Sequence, residues 1–376
     1  MTGALVAPIG DAAPAGPSDR AAEENPFFNA AVLKAAVDHL ADARVSVVRA
    51  VDASGQPIVL APIRPTRLGR LIPAISIWVH QQGPLGTPLL DAANIDRAAA
   101  DLISAMDGDR VGSRILEFPY LPLSGPVADA LRRQATATGR PFTVLAAHRR
   151  AMLKRVEPDA AAFLLTITPK KRKELARQYR RLAELGKLTI EHVSEPEQRQ
   201  GALDDFFALE ASGWKGKRGT ALTLRQREKA FARSAVAAGD TTLHAIRLDG
   251  RAVAMLVSFK SGATAITWKI AYDEAYARFS PGVHVMLEAS TALLADPTIK
   301  RIDSIAVANH PMVDHLWPDR LEIGTLVIGP KGGGALYEAG LALMRLELYL
   351  RPIVRRFVRG ARKKVDALKA SLRRPA

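Results

Sequence analysis

The run Trp268–Val285, WKIAYDEAYARFSPGVHV, decides how the second half of this 376-residue chain folds. Ala265–Tyr272 reads as a strand and Gly282–Ala295 as a helix, with Ser280-Pro281-Gly282 at the join. A serine at the cap and a proline at the first helical position make a strong helix start. The free N–H groups there, with the positive end of the helix dipole, suit an anion such as a pyrophosphate. The same turn reads equally as a well-capped structural helix. Alternation along the strand sends Trp268, Ile270 and Tyr272 to one face and Lys269, Ala271 and Asp273 to the other. One face then offers a phenol for proton transfer and the other a charge pair. The competing reading is a core tryptophan beside surface charges.

A second run, Leu209–Leu222 (LEASGWKGKRGTAL), ends a helix at Trp214-Lys215-Gly216, with Glu210 four residues before Trp214. Trp214 would wall a pocket, and Lys215 would hold a phosphate or carboxylate. Otherwise Gly213 and Gly216 only stop the helix and Trp214 packs inside. His284 follows the Ser-Pro-Gly turn closely enough to touch a ligand, although a lone histidine is more often structural. His244, His310 and His315 lack metal-ligand spacing, so no metal is expected. Pro330–Gly334 (PKGGG) reads as a joint and not as a phosphate loop.

Outward from these runs, the chain repeats an order of elements. Pro26–Asp42 is a helix; strands flank the turn Ala53–Gln56; Ile72–His80 is a strand and Asp96–Met106 a helix. A strand at Arg114–Phe118, a helix at Gly125–Gly139 and a strand at Phe142–Ala146 follow. The second half brings helix Pro169–Leu185, strand Leu188–Val193, helices Gln198–Gly213 and Leu224–Ala238, and a hairpin turning at Asp249-Gly250. Arg301–Val307 and Arg320–Gly329 are late strands. Strand–turn–strand, strand, helix, strand therefore occurs twice.

The net charge is +15 with no cysteine, which excludes disulfide frameworks, thiolate zinc sites and cysteine nucleophiles. Pro169–Lys187 carries eight Lys/Arg against two Glu, and Arg345–Ala376 eleven against two acids; together they hold the whole excess. The tail mixes Leu343, Leu346, Leu350, Ile353 and Phe357 with arginines. Such a segment is attracted to anionic membranes, at about 1 kcal/mol per cation near the lipid. Alternatively its first half packs on the N-terminal domain, and Pro352 interrupts it. No window reaches eighteen apolar residues, and Met1–Asn25 reads as a disordered leader, not a secretory signal.

The two runs, with NPFFNAAVLKAAVDHL (Asn25–Leu40), GPLGTPLLD (Gly83–Asp91) and TPKKRKELARQYRRLAELG (Thr168–Gly186), resemble the Fem-like, CelD-like branch of the GNAT acyltransferases. The resemblance implies an α/β (α+β) protein: a leader at 1–24, GNAT-like domains at 25–165 and 166–330, each a mixed twisted sheet flanked by helices, and a hinge with a basic tail at 331–376. It implies a cytoplasmic N-acyltransferase acting on an amine of a sugar or lipid-linked envelope precursor, with peripheral contact at the inner membrane face. Tyr272, Asp273 and Lys269 would be catalytic. Ser280, Pro281, Gly282 and His284 would bind the acyl-CoA donor, and Glu210, Trp214, Lys215 and Trp268 the acceptor. The Gln/Arg-x-x-Gly-x-Gly/Ala signature of acetyl-CoA-binding members is absent, which leaves open an aminoacyl-tRNA donor, less favoured, or a non-catalytic accessory role.

Overall fold

A computed structural model describes residues 4–7, 15–157, 159–351 and 353. The first half runs β1 (Leu5–Ala7), α1 (Ala30–Leu40), β2 (Ser46–Val51), β3 (Pro57–Leu68), β4 (Ile72–Ile77), β5 (Leu89–Leu90), α2 (Ile95–Asp107), β6 (Leu116–Pro122), α3 (Pro126–Ala137) and β7 (Phe142–Lys154). The second runs α4 (Pro169–Ala183), β8 (Leu188–Val193), α5 (Pro196–Ser212), α6 (Trp214–Lys217), α7 (Gln226–Ala238), β9 (Asp240–Leu248), β10 (Arg251–Ser261), β11 (Thr264–Tyr272), α8 (Pro281–Ala295), β12 (Arg301–Asp303) and β13 (Asp319–Ile328). A last helix, α9, spans 335–351.

All the strands join one mixed sheet in the order β1-β2-β3-β4-β6-β13-β7-β12-β11-β10-β9-β8, with β5 paired to β3 alone. The protein is thus an α/β molecule whose large open sheet is flanked by helices. The element order anticipated for both halves is present, and the hairpin of β9 and β10 turns on Asp249 and Gly250, both left-handed at φ 49° and 80°. Helices α1, α2, α3, α5 and α7 bury their apolar stripes in one core, while α8 packs over the other face of the second half with Phe163, Leu182 and Trp317.

Three features escape local sequence patterns. Strand β7 continues to Lys154, beyond the expected end at Ala146, because a bulge at Ala146 (φ 54°) bends it without ending its pairing with β13. It then pairs with β12 through Met152–Lys154, so this one strand joins the halves. Strand β13 crosses back to lie between β6 and β7. The third is the expected leader, where Leu5–Ala7 pairs with β2 and the Glu23 carboxylate caps α3 at Val127 N at 3.1 Å. In α9, Tyr337, Leu341, Met344 and Leu348 form a helical stripe packed on the first half of the sheet. Pro352 and 354–376, including Phe357, lie outside the described residues.

Candidate active site

Strands β11 and β12 run parallel but pair only from Thr264–Ile266 against Arg301–Asp303. Beyond that they part. On β11 the register against β10 jumps from Ser258↔Thr267 to Val257↔Lys269, leaving Trp268 as an extra, bulged residue. On the other side β12 stops at Asp303, and the chain turns away through Ile305 at φ 44°. The sequence anticipated a strand to Val307; its early end is what opens the sheet. The β11 edge beyond Ile266 has no strand beside it, so its backbone groups face a cleft.

The cleft holds two adjoining cavities of about 390 Å³ each, which share Ile270, His310 and Met312. The inner one is walled by Trp268, Lys269, Ser304 and Arg150, with Gln82 and Tyr120 reaching in from the first half. The outer one lies between Trp214 and Lys215, the end of β11 at Tyr272, and the start of α8 at Ser280–Val283. Pro281 supplies no N–H, and the N–H groups of Val283 and His284 bond the Ser280 carbonyl at 2.9 and 3.2 Å. Among the described residues the Gly282 N–H has no partner. Gly282 also lies against the Tyr272 ring, where an added Cβ would stand 3.1 Å from Cδ1.

The expected cap is altered. Ser280 sits in the left-handed region, φ 54° and ψ 45°, and its hydroxyl does not cap α8. Its contribution is the sharp turn that aims the helix start into the outer cavity. The bulge also overturns the expected alternation: Trp268 and Ala271 pack with the core under α5, while Ile270 and Tyr272 pack with the opposite core. Lys269 Nζ stands 5.5 Å over the Trp268 ring, on the same side as that ring. An extra residue in one strand reverses every parity after it.

Electrostatics single out Lys269. Burial, then the Lys215 ammonium, lowers its pKa to about 8, while Glu210 acts the other way. Glu210 is itself 3% exposed, accepting from Lys215 Nζ at 2.9 Å and from Leu222 N at 2.7 Å. Lys215 also donates to the Ile270 carbonyl at 2.9 Å, so the pair fastens the α5–α6 corner to the free part of β11. Trp268 Nε1 donates to the Gln82 carbonyl at 2.6 Å, and Trp214 carries Arg218 5.1 Å from its ring centre.

Most of the anticipated residues thus meet in one cleft: Glu210, Trp214, Lys215, Trp268, Lys269, Tyr272, Ser280, Pro281 and Gly282. Two do not. Asp273 caps the turn at Ala275 N and pairs with Arg251 at 3.1 Å, away from either cavity. His284 points beneath α4, its ring 5.2 Å from Tyr179, and burial lowers its pKa to about 4. A histidine three residues into α8 lies on the side of that helix that faces α4, not the cleft. Sequence reasoning missed Arg150 and Asp303, whose buried ion pair at 2.5 Å braces β7 against β12 beneath the cleft. The pair is separated by 153 residues, and no local pattern joins them. Among the described residues no group of side chains is arranged to hold a metal.

The cleft is thus built from a split parallel pair, a bulge and a helix start. Residues 169–310 match the family described as acetyltransferase (GNAT) domain. No curated protein matches the sequence. Among solved structures the chain is similar to a C-terminal domain (DUF2156) described as that of a lysylphosphatidylglycerol synthetase from Agrobacterium fabrum. The two are 13% identical with a TM-score of 0.53, over 84% of this chain and 89% of that one. It is similar to FemX at 10% identity and TM-score 0.53, over 82% and 93%. A conserved protein of unknown function from Bacteroides thetaiotaomicron VPI-5482 is 11% identical with a TM-score of 0.52, over 84% and 94%. These likenesses concern the fold.

Proposed function

We propose that this protein is an N-acyltransferase that takes an acyl thioester, acyl-CoA, as donor and an amine of a sugar or lipid-linked cell-envelope precursor as acceptor. It would work at the cytoplasmic side, as the CelD-like resemblance implies, with domains divided near residue 166. The observation that carries the reading is the continuity of the unpaired β11 edge with the start of α8 in one cleft. A thioester arm would lie along that edge with its phosphates toward the Gly282 N–H. Backbone donors on the edge would polarise the thioester carbonyl. The acceptor nitrogen attacks that carbonyl carbon, the C–S bond breaks, and the departing thiolate takes a proton.

Lys269, with its pKa near 8, is the group in the cleft best suited to remove the proton from the attacking amine. Tyr272, at the junction of edge and helix start, would act as the acid that returns a proton to the thiolate. Trp214 and Trp268 would bracket the acceptor, and the Glu210–Lys215 clamp would hold its wall in place.

A second reading, an aminoacyl-tRNA donor, is favoured by α4. That basic helix lies beside the start of α8, with Gln178 Nε2 donating to the Arg278 carbonyl at 3.4 Å. Calorimetric titration separates the readings. Saturable acetyl-CoA binding that Gly282→Trp abolishes supports the thioester. Binding of aminoacyl-tRNA without any thioester supports the second reading, and binding of neither removes both.

A further inference from the structure

A hollow larger than either cavity of the cleft lies elsewhere among the described residues. It measures about 1130 Å³ and lies at the far side of the first half, between the β3–β4 hairpin, the loop after α2 and the start of α9. Six arginines line it: Arg44, Arg64, Arg67, Arg70, Arg110 and Arg114, and no Asp or Glu is among its lining residues. Arg44, Arg70 and Arg114 reach carboxylates outside the lining, at Asp42, Glu347 and Asp109. Among the described residues Arg64, Arg67 and Arg110 have no carboxylate within 4.0 Å. The start of α9 opens into the same hollow through Gly334, Ala335 and Leu336. Three guanidinium groups without a paired acid, beside three whose acids lie outside the lining, leave the hollow cationic, and an anion with several oxygens suits it.

The rim adds an independent observation. Leu71, Val111 and Leu336 stand 60%, 78% and 68% exposed beside these arginines. Helix α9, whose inner stripe is packed on the sheet, carries a second apolar stripe on its outer side. Leu336, Leu346, Leu350 and Ile353 recur at spacings that share one helical face, with Leu343 on the same side packed at Gly69. Leu346, Leu350 and Ile353 are 52%, 41% and 39% exposed. Apolar side chains interleaved with arginines around a cationic hollow fit the boundary between lipid headgroups and acyl chains.

We propose that this face docks on an anionic phospholipid surface, with headgroup phosphates in the arginine hollow and the outer stripe of α9 in the acyl boundary. The inference stands apart from acyl transfer. RNA fits less well, because the hollow's one aromatic side chain, Tyr337, is 1% exposed and cannot stack on a base.

The test is flotation of the full chain with vesicles of phosphatidylcholine alone or mixed with phosphatidylglycerol. Binding is expected only to the mixed vesicles, weakening with salt. The combined variant Arg64→Gln/Arg67→Gln/Arg110→Gln is expected to lose on the order of 100-fold in vesicle affinity, and Leu346→Ser/Leu350→Ser about tenfold. Circular dichroism and thermal unfolding confirm that both variants fold. The proposal is overturned if mixed vesicles do not bind, or if both folded variants float as the parent does, which would assign binding to the basic residues beyond 353. A dimer that light scattering shows to be broken by Leu346→Ser/Leu350→Ser, or displacement of the vesicles by equimolar tRNA, would also overturn it.

Discussion

The two halves of the sheet contain the same split, and only one of them is left open. In the second half β11 and β12 part after three residues, and the gap is the cleft. In the first half β4 and β6 run parallel for only Ile75–Ser76 against Leu116–Glu117 and then part in the same way. There the chain fills its own gap. Gly86 lies between Val79 and β6, its N–H bonded to the Tyr120 carbonyl at 3.1 Å, and Asn25 Nδ2 holds Leu85 and Thr87 by their carbonyls at 3.1 and 3.0 Å. The distance along the chain from strand to helix differs accordingly. Seventeen residues separate β4 from α2, enough for a plug, against eight between β11 and α8. One architecture therefore gives a filled half and an open half, and the length of one connection goes with the difference. The plug also serves its neighbour: Gln82 and Pro84 wall the inner cavity.

If the open split rests on its strut, removing the strut should do the greatest damage. Arg150→Met would leave Asp303 buried at 3% exposure with its charge unpaired. The expected loss is about 3–5 kcal/mol of stability, read by chemical denaturation. Partial recovery in Arg150→Met/Asp303→Leu would confirm that the orphaned charge is the cause. An unchanged midpoint in the single variant would mean that the cleft is not held open by this pair.

Gly86→Ala attacks the plug. An added Cβ would fall 1.9 Å from the Pro119 carbonyl oxygen, a backbone atom that cannot swing aside. A destabilisation of about 3 kcal/mol is expected. Because the plug belongs to the closed half, thioester affinity in the folded fraction should stay within about threefold of the parent. A selective loss of affinity would show instead that the two splits are one device.

The comparison also marks what could be read ahead. Pro281 and Gly282 announce a helix start, and the tryptophan–lysine pairs announce aromatic and cationic walls, because those signals are local. The face that each side chain takes on β11 could not be read, since one inserted residue at Trp268 inverts the alternation and nothing in WKIAY marks it. Nor could the plug be recognised: GPLGTPLLD reads as a turn whether it crosses solvent or fills a sheet. His284 was drawn to the site by its nearness in sequence, although the helical turn carries it to α4. The strut, the returning strand β13 and the arginine hollow all join residues far apart in the chain, so they exist only once the sheet is assembled.

Lys269 sharpens the functional side of the comparison. In the proposed reaction its neutral form is the base, so the rate at low substrate should rise as pH passes through about 8 and level off above it. Lys269→Met should lower the rate by about a hundredfold or more and remove that rise, with the fold intact. A variant that kept the pH-dependent rise would clear Lys269 of the proton transfer.

The smallest effect tests the neighbours separately. Lys215 pushes the Lys269 pKa down and Glu210 pulls it up. Lys215→Met should therefore move the rise in rate to higher pH, and Glu210→Gln should move it to lower pH. Each displacement is expected to be about one pH unit or less, since each is a secondary influence beside burial. Lys215→Met removes the bond to the Ile270 carbonyl and Glu210→Gln weakens the contact that positions Lys215, so both should lower the maximal rate. That common loss would follow from a merely structural role as well. Opposite displacements would not, because loosening the wall moves both profiles in the same direction; only the charges of Lys215 and Glu210 acting on Lys269 can separate them.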